Sequence, residues 1–155
     1  MTMAEGSPLP DLALTGIDNQ PLGLRSFVGR PLVLYFYPKD DTTGCTREAQ
    51  DFTQHMPAFA SLGAVVLGVS KDTPSKHQKF IGKYDLSVAL ATDADNSVLE
   101  AFGAWVEKSM YGRNYMGIER STFLFDAAGT LVRTWRKVKV AGHAEEVLEA
   151  VRALG

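Results

Sequence analysis

The chain has 155 residues, 45% hydrophobic and 22% charged, which is the length and composition of an ordinary globular domain with its own buried core rather than of a disordered chain. The 16 Lys and Arg against 18 Asp and Glu leave a formal net charge of −2, so no cationic excess exists to hold nucleic acid, and no apolar run approaches the ~20 residues of a membrane span. The single cysteine excludes an internal disulfide and a cysteine-based zinc cluster. Met1 to Pro10 carries no basic, apolar leader, so a reducing cytoplasm is the expected compartment.

Strand-like and helix-like patterns alternate along the chain, which argues for an α/β layered domain. Leu32–Tyr37 is an unbroken apolar and aromatic run, too short for a core helix, and reads as a central strand buried on both faces. After Cys45, the residues Ala49, Phe52 and Met56 share one helical face, and Pro57 is expected to kink that helix or start a new turn. Ala64–Val69 reads as a second buried strand. Thr73 is a candidate N-cap, and Pro74 at the first helical position opens a helix to about Tyr84. A weaker strand follows around Val88–Ala91, then a short helix over Asp95–Phe102. Ser121–Phe125 and Thr130–Trp135 flank the turn Asp126–Gly129 and read as a hairpin. Ala144, Val147, Leu148, Val151 and Leu154 stripe the last helix. Buried parallel-type strands with a terminal hairpin predict a mixed central β-sheet flanked by helices on both faces.

The segment from Tyr35 to Glu48 carries the chemistry. A buried strand runs into Pro38, which has no N–H to extend the ladder; a polar loop follows, and the only thiol then sits in the first turn of a helix. The unpaired N–H groups and positive dipole end of a helix favour an anion there. A thiol of pKa ~8.5 can be lowered to about 3.5–7.5 in such a place, and the thiolate is the nucleophile. A lone cysteine is more often an inert core residue. Here Gly44, Thr46, Arg47 and Glu48 are poor core company. The three histidines, His55, His77 and His143, lie at non-ligand spacings and are expected at the surface or at caps.

The spacing of Pro38, Thr42 and Cys45 fits the Pro-x-x-x-Thr/Ser-x-x-Cys signature of peroxiredoxins, and Tyr37–Ala49 resembles the bacterioferritin comigratory protein (PrxQ) subfamily. The resemblance continues in order through Val69–Asp72, Glu107–Gly112, Gly117–Leu124 and Trp135–Ala144, covering roughly residues 7 to 154. It implies a thioredoxin-like fold of the peroxiredoxin type, with residues 1–155 as one domain. It also implies thiol-dependent reduction of hydrogen peroxide or alkyl hydroperoxides, needing no metal or organic cofactor. Cys45 would be the nucleophile, left as a sulfenic acid. Arg120 would approach it across the sheet to hold the thiolate and the peroxide, instead of pairing with Glu119 as an ordinary strand-end arginine. Thr42 would hydrogen-bond the peroxide or the sulfur, instead of or as well as serving as a turn or cap hydroxyl. Pro38 would shield the thiolate from water. Glu48 stands behind these four, as a partner for Arg120 or only as a carboxylate near a helix N-terminus.

Two departures from the subfamily pattern matter. Gln50 and Ile81 occupy the places where many members carry a second cysteine, so the sulfenate must be resolved by an external thiol: thioredoxin, glutaredoxin with glutathione, or a small thiol. Thr43 replaces the usual proline and loosens the backbone before the helix. A monomer is expected, with no nucleic-acid or membrane partner. Competing readings are a redox sensor or binding protein without efficient turnover, a disulfide exchanger (weakened by the missing C-x-x-C pair) and a scaffold. Gly44 before the Cys45 helix and Pro57 within it make that helix marginal, so its first turns are expected to fray on oxidation. Hydrogen exchange over residues 43–54 in the reduced and sulfenic forms checks this; equal protection in both would count against it.

Overall fold

The computed structural model describes residues 3–155. Seven strands form one mixed sheet: β1 (Ala13–Gly16), β2 (Pro21–Gly23), β3 (Leu32–Phe36), β4 (Val65–Ser70), β5 (Ala89–Thr92), β8 (Ser121–Phe125) and β9 (Leu131–Trp135), in the order β2-β1-β5-β4-β3-β8-β9. β3, β4 and β5 run parallel, whereas β8 is antiparallel to β3, with Phe36 opposite Ser121 and Leu32 opposite Phe125. β6 (Trp105–Met110) and β7 (Arg113–Ile118) form a separate two-stranded ribbon. The helices are α1 (Thr43–Ser61), α2 (Pro74–Tyr84), α3 (Ser97–Ala101) and α4 (His143–Arg152), with a 3-10 turn over Leu24–Phe27.

The period-2 alternation of β3 divides the core. Leu32, Leu34 and Phe36 pack on one face with α3 and the 3-10 turn, through Val98, Leu99, Leu24 and Phe27. Val33, Tyr35 and Tyr37 pack on the other against α1, α2 and α4, through Phe52, Phe59, Phe80 and Val147. Helices therefore cover both faces, as the pattern predicts. Thr73 caps α2 through its side chain, which accepts from Lys76 N–H at 3.2 Å.

Two expectations are corrected. Pro57 does not start a new helical element: the first helix runs on for 19 residues with the proline inside it; Phe52 and Phe59, both buried on either side of Pro57, hold it on the sheet. His77 and His143 are buried, not superficial. His143 lies 2.8 Å (Nε2) from Thr122 Oγ1 and edge-on to Phe52 and Trp135, and burial pushes its pKa down to about 4, so it packs as a neutral ring. The β1–β2 and β6–β7 hairpins have no counterpart in the sequence reading.

Tyr35 stands opposite Gly68 in the β3–β4 register and stacks on Phe52 at 4.7 Å. A Cβ at position 68 would lie 2.5 Å from Tyr35 Cζ and 2.9 Å from Leu90 Cδ2. Gly68→Ala must therefore displace the ring that floors the thiol side of the sheet. Such overpacking costs about 1–3 kcal/mol, readable by urea unfolding; a variant as stable as the wild type would mean that Tyr35 moves freely.

Candidate active site

The chain leaves β3 at Tyr37, passes the exposed Pro38 and enters a loop that two side chains pin to α2. Asp41 takes a left-handed backbone (φ 60°), and its carboxylate accepts from Lys83 Nζ at 2.8 Å and Tyr84 Oη at 2.5 Å. Asp40 is buried: its Oδ1 accepts from Tyr37 Oη at 2.5 Å, and its Oδ2 lies 2.7 Å from His77 Nδ1. His77 Nε2 is 3.0 Å from the Ala91 carbonyl, and the Asp40 N–H donates to Asp72 Oδ2 at 2.8 Å. This buried network was missed from sequence, because its members are spread over four segments with no motif spacing.

Thr42 is the N-cap of α1 with extended backbone (φ −97°, ψ 158°). Its hydroxyl does not cap the helix or reach the sulfur; it donates to the Lys39 carbonyl at 2.9 Å, leaving the oxygen lone pairs as acceptors. Cys45 follows in the first turn, 2% exposed and the only free thiol. Arg120 comes from the residue before β8. Its Nη2 donates to Cys45 Sγ at 3.3 Å and its Nη1 to Glu48 Oε1 at 2.7 Å. Gly44 packs closely against this guanidinium: a Cβ there would lie 3.3 Å from Arg120 Nη2. Glu119 does not compete for Arg120: it accepts from Arg136 Nε at 2.7 Å, and Arg136 also donates to the Gly103 carbonyl. The Arg120 carbonyl is itself tied by Val138 N–H at 2.9 Å.

Glu48 is 2% exposed, and Arg120 is the partner of only one of its oxygens among the described residues. Burial outweighs the attraction of Arg120 and pushes its pKa up to about 7. Burial opposes charge on Arg120 too, but Glu48 and Cys45 more than offset it and hold its pKa above the ordinary value. Lys108 of β6 is a further cation near this group; burial first, then Arg120, holds its pKa below the usual lysine range, while Cys45 pulls it up. Cys45, Arg120 and Glu48 thus meet, Thr42 and Pro38 lie in the approach loop, and Glu48 ranks higher than sequence spacing placed it. No group of three or more metal-ligating side chains occurs among the described residues, and no described helix is long and apolar enough to cross a membrane.

A thioredoxin-type sheet that presents one buried sulfur to a guanidinium at a helix N-terminus defines a thiol-based redox site. Residues 6–134 match the AhpC/TSA family. The chain is 47% identical to peroxiredoxin Bcp of Bacillus subtilis, over 98% of this chain and 97% of that protein. It also superimposes on the bacterioferritin comigratory protein of Xanthomonas campestris with a TM-score of 0.89 at 44% identity, covering 97% of this chain and 98% of that one. With a cysteine-to-serine variant of Xylella fastidiosa PrxQ the TM-score is 0.92 at 39% identity, covering 99% and 98%. The chain belongs to the AhpC/TSA family, within its Bcp/PrxQ peroxiredoxin branch.

The Glu48 carboxyl keeps in the folded state a proton that the unfolded chain gives up near its ordinary value of 4.5. The stability it contributes is complete below 4.5 and is lost as pH climbs through about 7. Relative to Glu48→Gln, the wild type should lose on the order of 3 kcal/mol over that window, measured by urea unfolding at several pH values. Parallel curves for the two proteins would show that Glu48 ionises normally.

Proposed function

We propose that this thiol peroxidase runs a one-cysteine cycle on Cys45. The thiolate attacks one oxygen of a hydroperoxide ROOH, the O–O bond breaks, and the departing RO⁻ takes a proton to leave as ROH or water. The sulfur, oxidised by two electrons, keeps one oxygen as sulfenic acid. One equivalent of an external thiol then forms a mixed disulfide and releases water; a second releases the disulfide and restores Cys45.

The observation that carries this reading is the Arg120 Nη2 donor 3.3 Å from Cys45 Sγ at the start of α1. A guanidinium already in place stabilises charge on the sulfur and, as the O–O bond stretches, on the leaving oxygen, without reorganising at the moment of reaction. Thr42, with its proton committed to the Lys39 carbonyl, offers its oxygen to the peroxide O–H and fixes the line of attack. Pro38, standing exposed at the end of β3, shields the sulfur from bulk water.

The X. campestris relative is described for its alkyl peroxide reduction activity, which supports organic hydroperoxides beside hydrogen peroxide as substrates. The reductant in this reading is thioredoxin, glutathione with glutaredoxin, or a small thiol, and the protein works as a cytoplasmic monomer. Arg120→Met should slow the second-order reaction with hydrogen peroxide by about 10²–10³-fold, followed by stopped flow, and Cys45→Ser should abolish it. An Arg120→Met variant as fast as the wild type would remove the guanidinium from the mechanism.

A further inference from the structure

A cavity of about 240 Å³ opens between the loop that leads into α1 and the outer face of α2. Neither Cys45, Arg120 nor Glu48 lines it. Lys39 comes from the loop, and Lys76, Lys79 and Lys83 from α2, where their spacing sets them on one side of the helix around the buried Phe80. Three aspartates also reach the wall, but each is used within the protein. Asp40 is held by Tyr37 and His77, Asp72 by Ser70 Oγ and the Asp40 N–H, and Asp41 by Lys83 and Tyr84. Among the described residues Lys39, Lys76 and Lys79 have no carboxylate within 4.0 Å, and all three are exposed. In a chain of net charge −2, this gathers free ammonium groups around an apolar floor.

We propose that this cavity binds the carboxylate-bearing body of a small thiol, of the glutathione class, that reduces oxidised Cys45. The inference rests on the one-cysteine cycle above and names its reductant. The cavity is smaller than the roughly 300–1,000 Å³ of most small-molecule sites and is concave, which suits a short anionic ligand better than the ~800 Å² face of a protein partner. Its place suits the second half of the cycle, since a ligand there does not obstruct peroxide at the sulfur. Asp41 on the cavity wall is four residues from Cys45, and four residues of extended chain span roughly 13–14 Å. Unwinding the first turn of α1 can therefore bring the sulfenic sulfur to the docked thiol. The thiol sulfur displaces the sulfenic oxygen, which leaves as water with the thiol proton, and a second thiol cleaves the mixed disulfide.

The test compares reduction of the Cys45 sulfenic acid by glutathione, neutral 2-mercaptoethanol and cationic cysteamine. It uses the full chain and its Lys76→Glu, Lys79→Glu double variant. The ratio of the glutathione to the 2-mercaptoethanol rate constant should fall about tenfold or more in the variant, and the cysteamine ratio should rise. Lys137→Glu, Lys139→Glu, with the same charge change at two exposed positions outside the cavity lining, should leave both ratios unchanged. Ratios that do not move in the cavity variant, or that move equally in both, overturn the proposal. So does a loss confined to an acidic protein reductant such as thioredoxin, which would make the cavity a protein-docking face. Turnover sustained by thioredoxin but by none of the three small thiols would overturn the proposal and leave the one-cysteine cycle standing, whereas failure of thioredoxin as well would remove the cycle and the proposal with it.

Discussion

One guanidinium organises this site. Arg120 gives one nitrogen to the sulfur of Cys45 and the other to the carboxylate of Glu48, and nearly every neighbouring feature serves that placement. Gly44 adds no side chain to crowd it, Arg136 occupies Glu119, and Val138 ties down its backbone. A buried pair of this kind is weak evidence for stability, because taking two charges out of water costs several kcal/mol per ion before any attraction is counted. Its value is positional. Around neutral pH, with its pKa near 7, Glu48 stands between its two protonation states, and the charge left over for the sulfur changes with it.

The site also answers two opposed demands. The sulfur of Cys45 is buried beside Arg120, yet an external reductant must eventually touch it. The loop before α1 is fastened on the α2 side at Asp40 and Asp41 rather than around the cysteine. The first turn of α1, by contrast, begins at an N-cap whose side chain makes no capping bond and continues through a glycine. Firm anchorage on one side and a weakly built turn on the other let motion concentrate in the few residues that carry the sulfur.

Much of this was legible in the residues. The unbroken run Leu32–Tyr37, the Thr73–Pro74 cap and the stripe on α4 carry enough local signal to fix element types, and the Pro38, Thr42, Cys45 spacing marks the site. What escaped depends on tertiary pairing. The β1 and β2 segments are four and three residues long and exist because β1 pairs with β5. The β6–β7 ribbon turns on Tyr111 and Gly112, both left-handed, yet its strands are largely exposed and lack a clear apolar alternation. His77 was misjudged because a histidine in a polar helix looks superficial until Asp40, 37 residues earlier, is brought beneath it.

The polarity of a single strand has a final consequence. Because β8 runs against β3, the residue that opens β8 arrives at the end where β3 closes, with Ser121 facing Phe36. Were β8 turned to run alongside β3, its first residue would sit at the opposite rim, four residues or roughly 13 Å away at 3.3 Å per residue. At that distance, with mobile ions between, an exposed positive charge is felt only faintly, since it lies beyond the Debye length of ~8 Å. Chain direction in one hydrogen-bonded ladder thus decides whether the cation and the sulfur share a site at all.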